Sequence, residues 1–173
     1  EYEVDCIIFA TGFEVGTDYS RRAGYGIYGR GGLDIEEKFS MTKGYESLFG
    51  MHAKEFPNAF FFGIGQTGFS STYTYALDEQ AIHLSYLLSK AREMGTKTIE
   101  PTQEAVDEWV QTIIEKARVS KEFQEQCTPG YYNLEGAVNQ LQQNNTYGGG
   151  PIEFFDLMED WRSEGVLKGL ELK

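Results

Sequence analysis

The stretch that decides the fold is Phe56-Pro57-Asn58-Ala59-Phe60-Phe61-Phe62-Gly63-Ile64-Gly65-Gln66-Thr67-Gly68-Phe69-Ser70-Ser71-Thr72. It begins with a Pro-Asn turn dipeptide. The aromatic run that follows predicts a strand at residues 58–63, buried on both faces. Three glycines then let the backbone approach another group closely, and hydroxyl side chains precede a long helical pattern. A strand, a glycine turn and a helix in that order leave N–H groups free at a helix N-terminus, which predicts a site for an anionic or polar ligand.

A second apolar run lies at residues 4–10 and predicts another buried strand, of the kind found inside parallel sheets. It ends at Thr11 and Gly12, where the chain can turn tightly. Ligands of α/β proteins bind at the carboxyl ends of such strands, so these two residues are candidate contacts. The predicted fold class is therefore α/β.

Helical patterns occupy most of the remaining chain. We predict four segments: a strand and turn at 1–14, an irregular covering segment at 15–55, a strand, loop and helix at 56–100, and a helical extension at 101–173. The first helix is expected to bury Leu77, Ala81, Leu84, Leu88 and Ala91 and to end at Gly95, leaving His83 on its surface. The later helices are expected to begin at Thr102 and near Pro151. The first of these should run to about Gln126. The polar residues 140–145 predict a flexible loop, and residues 167–173 a strand at a sheet edge.

Composition narrows the possible partners and compartment. The 173 residues carry a formal net charge of −12, which argues against nucleic acid or an anionic membrane as partner. Only two cysteines occur, without metal-ligand spacing, which indicates a reducing, cytoplasmic location. No apolar run is long enough for a membrane helix. The chain starts at Glu1 without a methionine and passes at once into an apolar run, so we expect the C-terminal piece of a longer polypeptide; a processed chain is the alternative.

Residues for catalysis are scarce. No Gly-x-Ser-x-Gly elbow is present, and neither histidine has a recognisable nucleophile partner in sequence. Two histidines cannot build a histidine-based metal cluster. Adjacent carboxylates lie in polar surroundings typical of solvated faces, and Arg21, Arg22 and Arg30 are expected to be solvated as well. We therefore predict no catalytic residue and no metal site, only a binding constellation.

Several motifs in order resemble one family. Residues 5–13 resemble the D-x-h-h-h-A-T-G-[FY] segment of flavin-containing and Baeyer–Villiger monooxygenases, where h is apolar. The Gly-Arg-Gly-Gly-Leu at 29–33, the segment 45–51 and the Phe-Pro-Asn segment at 56–61 follow in the order of the Baeyer–Villiger group. Residues 127–136 and 147–151 resemble the tail of one subgroup. The resemblance covers nearly the whole chain.

This resemblance implies the C-terminal third of an enzyme that depends on FAD and NADPH. The strands at 4–10 and 58–63 would then close an FAD-binding Rossmann-like domain, with the helix after residue 72 pointing its N-terminus at the flavin. Carried over by position, the cofactor-binding residues are Thr11, Gly12, Gly65, Gln66, Thr67, Gly68, Tyr73 and Thr74. The substrate-binding residues are Phe69 and Ser70. The loop departs from the commoner Gly-Pro-Gly-Ser-Pro of the family.

The implied activity is insertion of one oxygen atom of O₂ next to a ketone carbonyl, giving an ester or a lactone. The partners would be the ketone, O₂ and the N-terminal part of the same polypeptide. Both dinucleotide fingerprints, the family signature and its active-site arginine lie upstream in such enzymes, so this chain alone should be inactive and colourless. Two alternatives remain: a heteroatom-oxygenating flavin monooxygenase, and a non-catalytic interaction domain with the same fold.

Overall fold

The computed structural model describes residues 2–10, 19–42, 44–118 and 142–173, together with residues 122, 126 and 128. Helices dominate the described chain, and one small sheet joins them. In chain order the elements are α1 (Tyr19–Ala23), a 3-10 turn (Arg30–Gly32), α2 (Ile35–Met41), α3 (Tyr73–Met94), β1 (Ile99–Pro101), α4 (Gln103–Lys116), α5 (Pro151–Glu164) and β2 (Leu170–Leu172).

The two predicted buried strands are not strands in this structure. Residues 4–10 are exposed and irregular, and Phe9 keeps 84% of its surface accessible. Residues 58–63 form a turn and an extended loop, in which Phe61 N donates to Met51 O. An apolar run becomes a buried strand only where neighbouring strands take up its backbone hydrogen bonds along its length. Asn58 N donates to Ile99 O of β1, but neither run pairs as a strand within the described chain.

The sheet that does form is antiparallel and joins two distant parts of the chain. Ile99 pairs with Leu172 and Pro101 with Leu170. The prediction that residues 167–173 supply an edge strand is confirmed for β2. The protein thus keeps a mixed helix-and-strand class, with its sheet built from β1 and β2 and not from the two predicted buried strands.

Helix α3 ends where predicted but buries a different face. Gly95 closes it in the left-handed conformation, with φ of 67°. The buried residues are Ala76, Gln80, His83, Leu87 and Ala91, whereas Leu88 and Ala81 are exposed. The predicted surface position of His83 is therefore wrong. Apolarity alone places Gln80 and His83 outside, but the ring of His83 packs against the aromatic side chains of the core, and Gln80 binds the backbone of the loop before α3.

Helices α4 and α5 agree well with prediction at their starts. The Thr102 hydroxyl accepts a hydrogen bond from Ala105 N, which makes it the cap of α4. That helix ends at Lys116, short of the predicted end. Pro151 begins α5, and Gly165 ends it. The main core gathers the buried faces of α3, α4 and α5, including Leu87, Val106, Trp109, Ile113, Phe154, Phe155, Met158 and Trp161.

A smaller second core forms under the segment predicted to be irregular. That prediction is partly wrong, because residues 19–42 contain α1, the 3-10 turn and α2. Asp34 caps α2 by accepting hydrogen bonds from Glu36 N and Glu37 N. The second core contains Ile35, Ala53, Phe56 and Phe61. Among the described residues, no helix combines the length and apolarity that crossing a membrane requires.

Candidate functional site

The predicted site residues separate into an inward group and an outward group. Gln66, Thr67 and Gly68 are buried, with Gly65 partly covered, whereas Phe69, Tyr73 and Thr74 are exposed and Ser70 is intermediate. We call residues 63–70 the pocket loop. Thr11 and Gly12 lie outside the described residues. The loop leads directly into the start of α3, and its buried residues Gln66, Thr67 and Gly68 precede the exposed Phe69.

Gln66 lies at the centre of the pocket loop and is fully buried. Its side-chain oxygen accepts a hydrogen bond from Ser47 Oγ, and its Nε2 donates to Tyr45 O and Gln143 O, both at 2.9 Å. Its backbone N donates to Asn145 O at 2.8 Å, and its carbonyl accepts from Trp109 Nε1 at 3.1 Å. The polar groups of Gln66 are thus all engaged within the protein, and its side chain faces away from any ligand in solvent.

Further contacts hold the rest of the loop. The Gln80 side chain from α3 donates through Nε2 to Gly63 O at 2.8 Å and accepts from Gly63 N at 3.3 Å. The Thr67 hydroxyl donates to the same Gly63 carbonyl, and Tyr147 N donates to Thr67 O. Because both ends and the middle are bound, residues 63–67 have a defined backbone conformation.

Gly68 is where the loop touches α5. A Cβ added at this glycine would lie 2.7 Å from the Cβ of Phe154, closer than side-chain atoms pack. Glycine is therefore needed here for close approach and not for its backbone angles. The contact fixes where the chain leaves the core toward Phe69.

The outward side of the site is aromatic. Phe62, Ile64, Phe69, Tyr73 and Tyr75 are all exposed, and we call these five residues the outer lip. They stand before, within and after the pocket loop. The neighbouring N-cap residue of α3, Thr72, makes no side-chain capping hydrogen bond, although its carbonyl accepts from Tyr75 N. The N–H groups of Tyr73 and Thr74 are therefore the ones left for solvent or a ligand.

The sequence interpretation missed the partners of Gln66. Residues 142–145 were expected to belong to a flexible loop, but this described part binds the pocket loop and Tyr45. Asn144 Oδ1 accepts a hydrogen bond from Tyr45 N, and Gln143 Nε2 donates to Tyr45 O. Amide side chains can satisfy backbone groups on both sides, so the clustering of Gln and Asn at 142–145 was the available signal.

Two buried histidines form a separate polar feature beneath the site. The rings of His52 and His83 lie 5.7 Å apart, and that of His83 lies 5.1 Å from Trp161. Neither ring nitrogen of His83 has a hydrogen-bond partner, and His52 Nε2 has none. Burial lowers the pKa of His52 to about 4. Burial, together with the neighbouring His52 and Arg162, lowers the pKa of His83 to about 2. Both histidines are therefore neutral at pH 7.

Arg30 has a structural partner. Its guanidinium pairs with the buried Glu100 carboxylate at 2.8 Å, and Lys54 lies 3.7 Å from the same group. Burial alone raises the pKa of Glu100, but the hydrogen bonds from Arg30 and Glu55 N and the charge of Lys54 outweigh it and lower that pKa overall. Arg30 keeps 47% of its side-chain surface exposed, as expected for a solvated arginine, but it also has this specific partner. This ion pair joins the 3-10 turn to β1.

A groove of about 820 Å³ lies between α4 and α5, and none of the predicted site residues lines it. Trp109 and Trp161 line it together with the carboxylate residues Glu104, Glu108 and Asp160. Within the described ranges, no group of three or more His, Cys, Asp or Glu side chains is arranged to hold a metal ion. The candidate site is therefore the pocket loop with the outer lip.

Comparison with known proteins identifies relatives along the whole chain. No family model matches. The chain is 41% identical over 176 residues to pentalenolactone D synthase of Streptomyces arenae, covering 100% of this chain and 30% of that protein. It is 37% identical to Baeyer–Villiger monooxygenase 4 of Dietzia sp., covering 98% of this chain and 27% of that one. The chain thus spans about 30% of the length of the relatives it matches.

Solved structures show the same relationship in three dimensions. Polycyclic ketone monooxygenase from the fungus Thermothelomyces thermophila matches with a TM-score of 0.75 and 27% identity, over 90% of this chain and 25% of that one. Cyclohexanone monooxygenase bound to cyclohexanone matches with a TM-score of 0.69 and 25% identity, over 99% of this chain and 29% of that one. The predicted family and fold class are both confirmed. By sequence and by fold, this chain corresponds to a C-terminal portion of a Baeyer–Villiger-type monooxygenase.

Proposed function

We propose that the protein carrying this chain is an FAD- and NADPH-dependent monooxygenase that inserts one oxygen atom next to a ketone carbonyl, giving an ester or a lactone. The observation that carries the proposal is the match to Baeyer–Villiger monooxygenases along essentially the whole chain, in sequence and in fold. The ketone, O₂ and an N-terminal part of the same polypeptide are its proposed partners, and the cytoplasm is its proposed location.

The residues of the site fit a flavin. The exposed aromatic side chains of the outer lip can contact a flat ring system. The uncapped first turn of α3 offers N–H groups and a positive dipole end to the electron-rich polar edge of such a ring. FAD, reduced by NADPH, supplies the oxygen-activating chemistry when bound.

This chain contributes shape, orientation and exclusion of water. Gly65, Thr67 and Gly68 would bring loop backbone beside the cofactor, and Tyr73 and Thr74 would present the start of α3. Phe69 and Ser70 follow directly after the clamped part of the loop and would face the ketone. Thr11 and Gly12 would contact the cofactor from the preceding segment. Apolar and aromatic groups that exclude water favour oxygen transfer over side reactions with solvent.

The outer lip consists of apolar and aromatic side chains and contains no carboxylate, histidine, lysine or cysteine. The proposed role of this portion is therefore to position the reactants, while the chain upstream supplies the nucleotide-binding residues and the reactive environment.

The test uses the longer protein that carries this chain. We expect a yellow protein with flavin absorbance that oxidises NADPH when a cyclic ketone is added. In ¹⁸O₂ we expect a lactone heavier by one labelled atom, and omission of NADPH is the control. Sulfoxides formed from thioethers, with no ester from any ketone, would instead indicate a heteroatom-oxygenating enzyme. A colourless protein that fails to bind added FAD would indicate a non-catalytic domain.

A further inference from the structure

We infer that Gln66 is a positioning residue that sets the substrate side of the pocket without touching the ligand. The inference rests on the proposed function, because it concerns how this chain presents Phe69 and Ser70 to a ketone. It replaces the direct cofactor contact that the resemblance suggested for Gln66.

The first argument is that the Gln66 side chain is fully hydrogen-bonded within the protein. An amide can accept at Oε1 and donate twice from Nε2. Here Oε1 accepts from Ser47 Oγ, and Nε2 donates to two backbone carbonyls, those of Tyr45 and Gln143. With no surface exposed and no hydrogen left to donate, the side chain cannot also bind a ligand.

The second argument is the backbone of the same residue. Gln66 has a φ of +58°, in the left-handed region that residues other than glycine seldom occupy. Such a conformation persists where the surroundings over-determine it. Asn145 O and Trp109 Nε1 bind the Gln66 N–H and C=O. The side-chain and main-chain bonds together therefore hold a turn that a free loop would abandon.

The third argument concerns the distant segments that Gln66 connects. We call Gln66 and its hydrogen-bond partners Ser47, Tyr45, Gln143 and Asn145 the clasp. These partners come from two chain segments far apart in sequence, at 45–47 and 143–145. Three residues after Gln66, the chain emerges at Phe69, which is about half exposed. Release of the clasp would let the emerging segment shift relative to α3, and so move the wall proposed to face the ketone.

The direct test is the Gln66→Met variant of the longer protein. Methionine keeps the length of the side chain and removes its acceptor and both donors. We expect the KM for a bulky cyclic ketone to rise about tenfold, while kcat and the KM for NADPH change less than about threefold, since positioning errors of about 1 Å impair substrate placement strongly. The matched control is Gln111→Met, which removes an exposed amide that binds only Glu115. It should leave each constant within about twofold.

Thermal unfolding and the flavin-to-protein ratio, measured on every variant, show that the comparison concerns folded enzyme. A folded Gln66→Met enzyme with bound flavin and unchanged KM for the ketone would overturn the inference and leave the proposed function intact. A wild-type protein without flavin or oxygenase activity would instead overturn the proposed function. If Gln66→Met does not fold, Ser47→Ala, which removes one bond of the clasp, decides. A rise of about threefold in the KM for the ketone supports the inference, and no rise refutes it.

Discussion

The buried pair His52 and His83 predicts a steep loss of stability in mild acid. The chain has only these two histidines. Both are neutral in the folded protein, because burial lowers the pKa to about 4 for His52 and about 2 for His83. In the unfolded chain each has a pKa of about 6.5. The unfolded state therefore binds more protons below pH 6.5, and protonation favours unfolding.

The sign and size follow from proton linkage. For groups whose pKa is lowered in the fold, the stability present above the unfolded pKa is lost as the pH falls below it. Between pH 7 and pH 5 each histidine passes from mostly neutral to mostly charged in the unfolded state and stays neutral in the fold. Each then destabilises the fold by about 2 kcal/mol, and the pair by about 4 kcal/mol. The result depends little on the folded pKa values, provided that both lie well below 5.

The assay compares urea unfolding of the wild type with that of a His52→Phe/His83→Phe double variant at both pH values. Phenylalanine suits the surroundings, since Phe49, Phe60 and Trp161 contact the two imidazole rings. We expect the wild type to lose about 4 kcal/mol more than the variant between pH 7 and pH 5. Glu100, Glu153 and Glu171 also have lowered pKa values. Such carboxylates lose their contribution to stability mainly below pH 5, and both proteins contain them, so they do not affect the comparison. An equal loss in the two proteins would refute the reasoning, because it would mean that the histidines titrate as solvated groups.

Three further predictions test the site and its supports. Gly68→Ala should lower the free energy of unfolding by about 1–3 kcal/mol, because the new Cβ would clash with Phe154. The control is Gly63→Ala, whose Cβ would meet no atom within 4 Å. Thermal unfolding of the two variants measures the difference. Glu100→Gln should lower the free energy of unfolding in urea by about 2 kcal/mol, because an amide cannot form the ion pairs that this nearly inaccessible carboxylate makes. A loss below about 0.5 kcal/mol would contradict the structural role of Glu100. Phe69→Ala should leave the melting temperature unchanged, since the ring is about half exposed. In the longer protein the same change should raise the KM for bulky ketones several-fold. An unchanged KM would show that Phe69 does not form part of the substrate wall.

Local signals predicted the ends of helices well. Gly95, Thr102 and Pro151 mark helix boundaries through capping and backbone preference, which depend on neighbours in sequence. The direction of α3 was less predictable. His83 was expected on the surface, but the fold surrounds it with aromatic rings, and it also buries Gln80 by giving its side chain a backbone partner.

The site shows the same division. The proposed site at residues 63–75 follows from the order of the aromatic run, glycines and hydroxyl residues. The sequence did not predict which side chains of the loop face outward. Gln66 is buried and Phe69 exposed because distant segments supply hydrogen-bond partners to Gln66, and nothing in the residues next to them indicates this. The 143–145 segment and Ser47 lie far from Gln66 in sequence, so no spacing rule links them.

By itself, then, the sequence determined the family and the starts of α4 and α5, since these depend on ordered motifs and on short-range capping. Only the tertiary structure decided that residues 4–10 and 58–63 form no strand within the described chain, that Gln66 is enclosed by a clasp, and that two histidines lie in the core. The physical reason is that burial and hydrogen-bond partners belong to pairs of segments brought together by folding. The chemistry of a residue specifies which hydrogen bonds it can donate or accept, whereas the fold determines which partner group lies within reach.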